Sequence, residues 1–182
     1  FIYIYKLTTC DTGDFFDDGR VLADQDLRSG RGITYRWLKS RSYELFPFGH
    51  GEMYTSVAAE FVSSPTGNVS TSSVARQGLG PISLTVRNTG TRSSDVTVLL
   101  FAHFAGQPDC PSRQLTEFAR VANVAPGHST TVAFSLPPRA LSCVSASAKR
   151  VVYPGQLVLE AMELGASLNL TLTGPPVTLP TW

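Results

Sequence analysis

A train of short β-prone runs, beginning at Val57, restricts this chain more than any other feature. Ile82-Ser83-Leu84-Thr85-Val86 alternates apolar with polar, and Val132, Phe134 and Leu136 alternate with the polar or small residues between them. A period of two places every second side chain on one face of a strand, so each such run has one face to bury. β-Prone runs, these two among them, fall at residues 57–62, 82–86, 96–101, 118–124, 130–136, 151–153, 157–162 and 168–173. Asn88-Thr89-Gly90, Pro126-Gly127 and Pro154-Gly155 punctuate them as turns. Residues 96–101 are apolar on both faces, which predicts an interior strand. Seven or eight strands at this spacing predict an all-β fold, a two-layer antiparallel β-sandwich.

Composition agrees. Of the 182 residues, 42% are hydrophobic and only 16% charged, with 12 Pro and 15 Gly as breakers, a profile of sandwiches rather than helical bundles. That length supports one good core and an appendage. A net charge of +1 leaves no electrostatic footprint for nucleic acid or an anionic membrane, so neither is expected as a partner. The apolar start at residues 1–5 is too short to span a bilayer or act as a signal core. Without an initiator Met or targeting segment, the chain is expected to be a piece of a longer protein or the product of an imperfect gene model. Residues 63–80, rich in Ser, Thr, Gly and Pro, read as a long loop, and 139–148 as the one helical patch. Residues 1–32 read as irregular. Asp11, Asp14, Asp17 and Asp18 lack the spacing of a calcium loop and read as solvated turn residues. Residues 33–37 read as a short strand with no sheet to join.

Between these parts lies Leu45-Phe46-Pro47-Phe48-Gly49-His50-Gly51-Glu52-Met53-Tyr54-Thr55. Pro47 fixes its own φ and biases Phe46 to extended geometry, while Gly49 and Gly51 can adopt angles closed to residues with a Cβ. A bent junction is expected here, its rings buried against neighbours. Thr34-Tyr35-Arg36-Trp37 followed by Phe46-Pro47-Phe48-Gly49-His50-Gly51 and Tyr54-Thr55 resembles the segment by which glycoside hydrolase family 3 enzymes leave their catalytic part. In that family it leads into a C-terminal fibronectin type III-like domain. The order continues with Leu84-Thr85-Val86-Arg87-Asn88-Thr89-Gly90, Ser94-Asp95-Val96, Val124-Ala125-Pro126-Gly127 and Tyr153-Pro154-Gly155. Asp26-Leu27-Arg28 and Leu170-Thr171-Leu172-Thr173-Gly174 look most like the fungal β-xylosidase branch. Ile33 stands where the family usually has Arg, and Glu52-Met53 where it usually has Leu-Ser.

The resemblance implies a fibronectin type III-like, immunoglobulin-like sandwich over 57–182, a junction over 46–56, and an irregular extension over 1–45 that ends a preceding catalytic α/β domain. It implies that Tyr35, Trp37, Phe46, Phe48, Gly49, Gly51 and Tyr54 pack at the domain junction. It further implies an accessory, non-catalytic part of a secreted enzyme of xylan breakdown, whose partners are the catalytic domains of the same parent. A retaining glycosidase needs two carboxylates roughly 5 Å apart. In the family both lie upstream of the Tyr35-Arg36-Trp37 station, so no catalytic residue carries over. Asp24 and Asp26 read as solvated charges, Glu52 as a capping or pairing acid, and His50 as a turn histidine. No cofactor is expected. Cys10, Cys110 and Cys143 form no Cys-x-x-Cys pair, which argues against zinc. Cys110 and Cys143 either bridge their two loops in an oxidising compartment or remain buried thiols. Asn68-Val69-Ser70 and Asn169-Leu170-Thr171 are glycosylation sequons, in keeping with an extracellular location. Two other readings stand beside the accessory domain. One is a sandwich that binds plant cell-wall polysaccharide through exposed aromatics; the other is a structural spacer or adhesion domain.

Overall fold

A computed structural model describes residues 34–180 apart from 52 and 66. The expectations at Asp11 to Asp26, Ile33 and Glu52 lie outside the described residues. Two compact units divide at the junction, one ending with His50 and one starting with Gly51.

In the first unit, Thr34–Trp37 forms a single helical turn, α1, and not the strand its β-branched and aromatic content predicts. The Leu38 N–H donates to the Thr34 carbonyl (3.1 Å) and closes the turn. Strand preference is a preference for a pleated, paired surface, and here the local helical bond is the one formed. Tyr35 stacks on Phe48 with ring centroids 4.2 Å apart, and Phe46 on His50 at 5.1 Å.

The second unit is the sandwich. One layer is a three-stranded antiparallel sheet of β1 (Val57–Ser63), β3 (Leu79–Asn88) and β6 (Ser129–Leu136), with β3 in the middle. The facing layer contains β2 (Asn68–Ser70), β4 (Ser94–Phe104), β5 (Gln114–Val124), β9 (Gly155–Ala161) and β10 (Ala166–Thr173). Its spatial order is β2-β10-β9-β4-β5, so β4 is interior, as its two-faced apolar pattern predicts. A small third sheet joins β7 (Cys143–Val144), β8 (Arg150–Val152) and β11 (Val177–Thr178). The layers meet through the alternating positions. Ile82, Leu84 and Val86 from β3 face Val96, Val98 and Leu100 from β4 and Leu157, Leu159, Leu170 and Leu172 from β9 and β10, each at most 5% exposed. Full burial of such side chains stabilises by roughly 1.5–3 kcal/mol each.

Three local expectations change. Residues 63–80 are not a plain loop: they contain β2 and the helix α2 (Thr71–Gln77). The Ser70 side chain caps α2 by accepting the Ser73 N–H (3.1 Å), and Gly78 ends it at φ +78°. Residues 139–148 are not helical beyond a short turn, Pro138–Leu141. Cys143 and Val144 pair instead with Val151 and Arg150, and Ala148 turns the chain at φ +59°. Finally, the sheets are antiparallel except at β2, which runs parallel to β10. A three-residue segment that arrives from across the sandwich can join an edge in either direction.

Candidate functional site

The end of the sandwich where the junction joins β1 is organised by one buried polar residue. Asn88, at the last position of β3, has no exposed surface. The Thr55 hydroxyl and the Gly90 N–H donate to its Oδ1 (2.7 and 3.0 Å). Its Nδ2 donates to the carbonyls of Arg92 and Val124 (2.7 and 2.8 Å). Its backbone N–H donates to the His128 carbonyl, and its carbonyl accepts from Gly127. Its side chain thus ties the junction, the β3–β4 turn and the end of β5, and its backbone adds the β5–β6 turn. The Ser56 carbonyl adds a second clamp by accepting from Thr89 and Gly90 (2.9 and 3.2 Å). A Cβ at Gly90 would lie 2.2 Å from Thr55 Oγ1, so only glycine lets the turn approach this closely.

Next to Thr55 in this locked segment is Tyr54, 86% exposed. The expected burial of the junction rings therefore divides. Phe48 and Tyr35 stack on each other and Trp37 is partly buried, but Phe46 is 50% exposed and Tyr54 86% exposed. Gly49 uses its freedom at φ +89°; Gly51 is exposed and is not among the positive-φ glycines.

The charged groups on the sandwich are structural in their geometry. Asp95 accepts the Asn123 N–H (2.8 Å) and pairs with the Arg120 guanidinium. Those contacts, the Asn123 bond first, hold its carboxyl below the usual carboxylate range. The Tyr153 hydroxyl donates to Asp109 (2.7 Å), which raises the phenol above its ordinary value, with burial adding. That bond helps fasten the loop after β4. The loop is also held by Gln107 Nε2, which donates to the Pro154 carbonyl (3.1 Å), and by a Cys110–Cys143 disulfide with Cα atoms 5.0 Å apart. Beneath it is an open depression of about 450 Å³, lined by His103, Phe104, Gln107, Pro108, Pro111 and Ser112 among others. Phe104 is 5% exposed and offers it no open ring face. Among the described residues no cluster of three or more His, Cys, Asp or Glu could hold a metal, and no helix is long and apolar enough to cross a membrane. Asn68 and Asn169 are both exposed. In the sequence, Asn88-Thr89-Gly90 predicts no more than a turn. The role of Asn88 as a hub depends on partners from four segments, and a pattern read within one segment cannot show them.

Two facing sheets and this strand order define a fibronectin type III-like domain, and a family profile of that description matches residues 96–163. The chain matches the C-terminal part of family 3 glycoside hydrolases, exo-1,4-β-xylosidases among them. It is 32% identical over 179 residues to the exo-1,4-β-xylosidase xlnD of Aspergillus oryzae, a match covering 87% of this chain and 22% of that protein. The chain thus spans about a fifth of that relative's length. Among solved structures, a family 3 exo-β-xylosidase (XlnD) in complex with a xylobiose aziridine probe superposes with a TM-score of 0.77 at 25% identity, over 87% of this chain and 23% of that one. A β-glucosidase from Erythrobacter marinus gives 0.61 at 27%, over 76% of this chain and 18% of that one. The same sandwich therefore occurs both in an exo-β-xylosidase and in a β-glucosidase.

Proposed function

We propose that this chain is the accessory sandwich of a secreted β-xylosidase-like enzyme of xylan breakdown, and that it buttresses the catalytic domains of the same polypeptide without performing chemistry. One observation carries this reading: an exposed aromatic ring, Tyr54, is presented by a segment that the buried Asn88 holds rigid. A large ring left in water beside a fully satisfied buried hub suits a surface completed by a partner. The relatives supply the kind of partner, because four-fifths of their length lies outside the match. Apolar contact at such a seam stabilises by on the order of 25 cal/mol per Å² removed from water.

The test is a domain exchange. The A. oryzae xylosidase truncated before its matching part should lose thermal stability and aryl-xyloside turnover, and fusion of this chain in its place should restore both. The isolated chain should show no turnover. Failure of the fusion to restore stability, or turnover by the isolated chain, would count against the reading. Retention of the isolated chain on xylan, abolished by replacing exposed rings, would favour a carbohydrate-binding module instead.

A further inference from the structure

We propose that Asn68 and Asn169 form a single paired N-glycan site that covers one edge of the five-stranded sheet. Of the four asparagines in the chain, these two alone begin a sequon, and 101 residues separate them in sequence. The fold brings them together. β2 is the edge strand beside β10, and the parallel register sets Asn68 opposite Thr171, the hydroxyl residue of the second sequon. Side chains that are opposite in a ladder point to the same face, and so do residues two apart on one strand. Asn68, Thr171 and Asn169 therefore share the outer face, while Val69 and Leu172 turn to the core. Strand spacing and two residues of rise put the two attachment points about 8 Å apart. Both asparagines are exposed, as is Ser70, and nothing lies within 4 Å of a Cβ built on Gly67, next to Asn68. Val158, partly exposed and paired with Asn169 on β9, offers an apolar surface to the first sugar ring. A bulky hydrated group here would shield the open edge of β2 from strand addition by a second molecule.

The reaction is a glycosyl transfer by the host's lumenal transferase. The asparagine amide nitrogen forms a bond to the anomeric carbon of a polyprenyl-diphosphate-linked oligosaccharide. The bond from that carbon to the diphosphate oxygen breaks, the polyprenyl diphosphate leaves, and the amide proton passes to a base of the transferase. This proposal shares with the accessory reading only the need for a secretory compartment; its readout is glycan mass, not xyloside turnover.

The full chain is expressed behind a secretion signal in yeast, with parallel translation into microsomes so that a poorly secreted variant is still scored. Peptide N-glycosidase should remove the mass of two core glycans, and Asn68→Gln and Asn169→Gln should each remove one. Thr171→Val, which keeps the strand, should reproduce Asn169→Gln. On the native protein each glycan should hinder access to the other, so Asn68→Gln should at least double the rate at which endoglycosidase releases the Asn169 glycan. Absence of a glycan at either position, a mass shift surviving in the double variant, or a release rate unchanged by Asn68→Gln would overturn the proposal.

Discussion

At the scale of single residues, Asn88 shows how a polar side chain can hold a β-sandwich end together. Replacement by Ala leaves the carbonyls of Arg92 and Val124 and the hydroxyl of Thr55 without their partner, the Val124 carbonyl at a buried bond and the other two at partly buried ones. An unsatisfied buried group costs about 1–3 kcal/mol and a water-accessible one less, so Asn88→Ala should lower stability by roughly 2–3 kcal/mol. Urea unfolding checks this: the midpoint should fall while the slope stays constant. Tyr153 gives a pH signature. Its phenol is raised in the folded chain by the bond to Asp109, so the stabilisation is complete below the unfolded value of about 10 and is lost as pH rises through the folded value. Thermal melts taken from neutral to alkaline pH should decline through that window, and Tyr153→Phe should flatten the decline. Neither role was legible from sequence. Asn88-Thr89-Gly90 reads as a turn and Tyr153 as a core ring, because their partners at Thr55, Val124 and Asp109 come from distant stretches.

At the scale of elements, alternation was enough wherever one face of a strand had a core to meet. β3, β4, β6, β9 and β10 fall where the pattern puts them, and most extend a few residues further because neighbouring strands supply pairing past the alternating part. Elements formed by a few local bonds were not legible. α2 is rich in Ser and Thr, whose side chains also favour turns, and it is fixed by the Ser70 cap and by Gly78. There a Cβ would sit 2.0 Å from the Leu136 carbonyl oxygen. β7 likewise depends on pairing with β8 and on its first residue, Cys143, which the disulfide ties to the loop after β4 across 33 residues. Closing a loop of that length in the unfolded chain stabilises by about 4 kcal/mol in the chain-entropy account. Reduction with dithiothreitol should accordingly lower the melting temperature by roughly 10 °C. The Cys110→Ala, Cys143→Ala double variant should melt near the reduced protein and show no further response to the reductant. A melting point insensitive to dithiothreitol in the parent chain would mean that the two sulfurs are not bonded in solution.

At the scale of the whole molecule, the two layers were legible because alternation depends only on which face each strand buries. The junction was legible as a bend but not as a surface. Phe46 and Tyr54 are large rings, and the ordinary expectation is that a chain buries its own rings. That expectation assumes the covering surface lies nearby in the chain, and among the described residues Tyr54 stays 86% exposed. This difference makes the buttress reading testable with one substitution and two measurements. In the isolated chain Tyr54→Ala removes almost no buried area, so its stability should change by no more than about 0.5 kcal/mol. In the fused xylosidase the same ring should lie at a seam, where loss of a buried aromatic typically costs about 3–5 kcal/mol. The fusion should then melt several degrees lower, while the conservative Tyr54→Phe stays close to the parent. Equal and negligible effects in both settings would leave Tyr54 a surface residue with no partner to meet, and the buttressing face would have to be sought elsewhere on the sandwich.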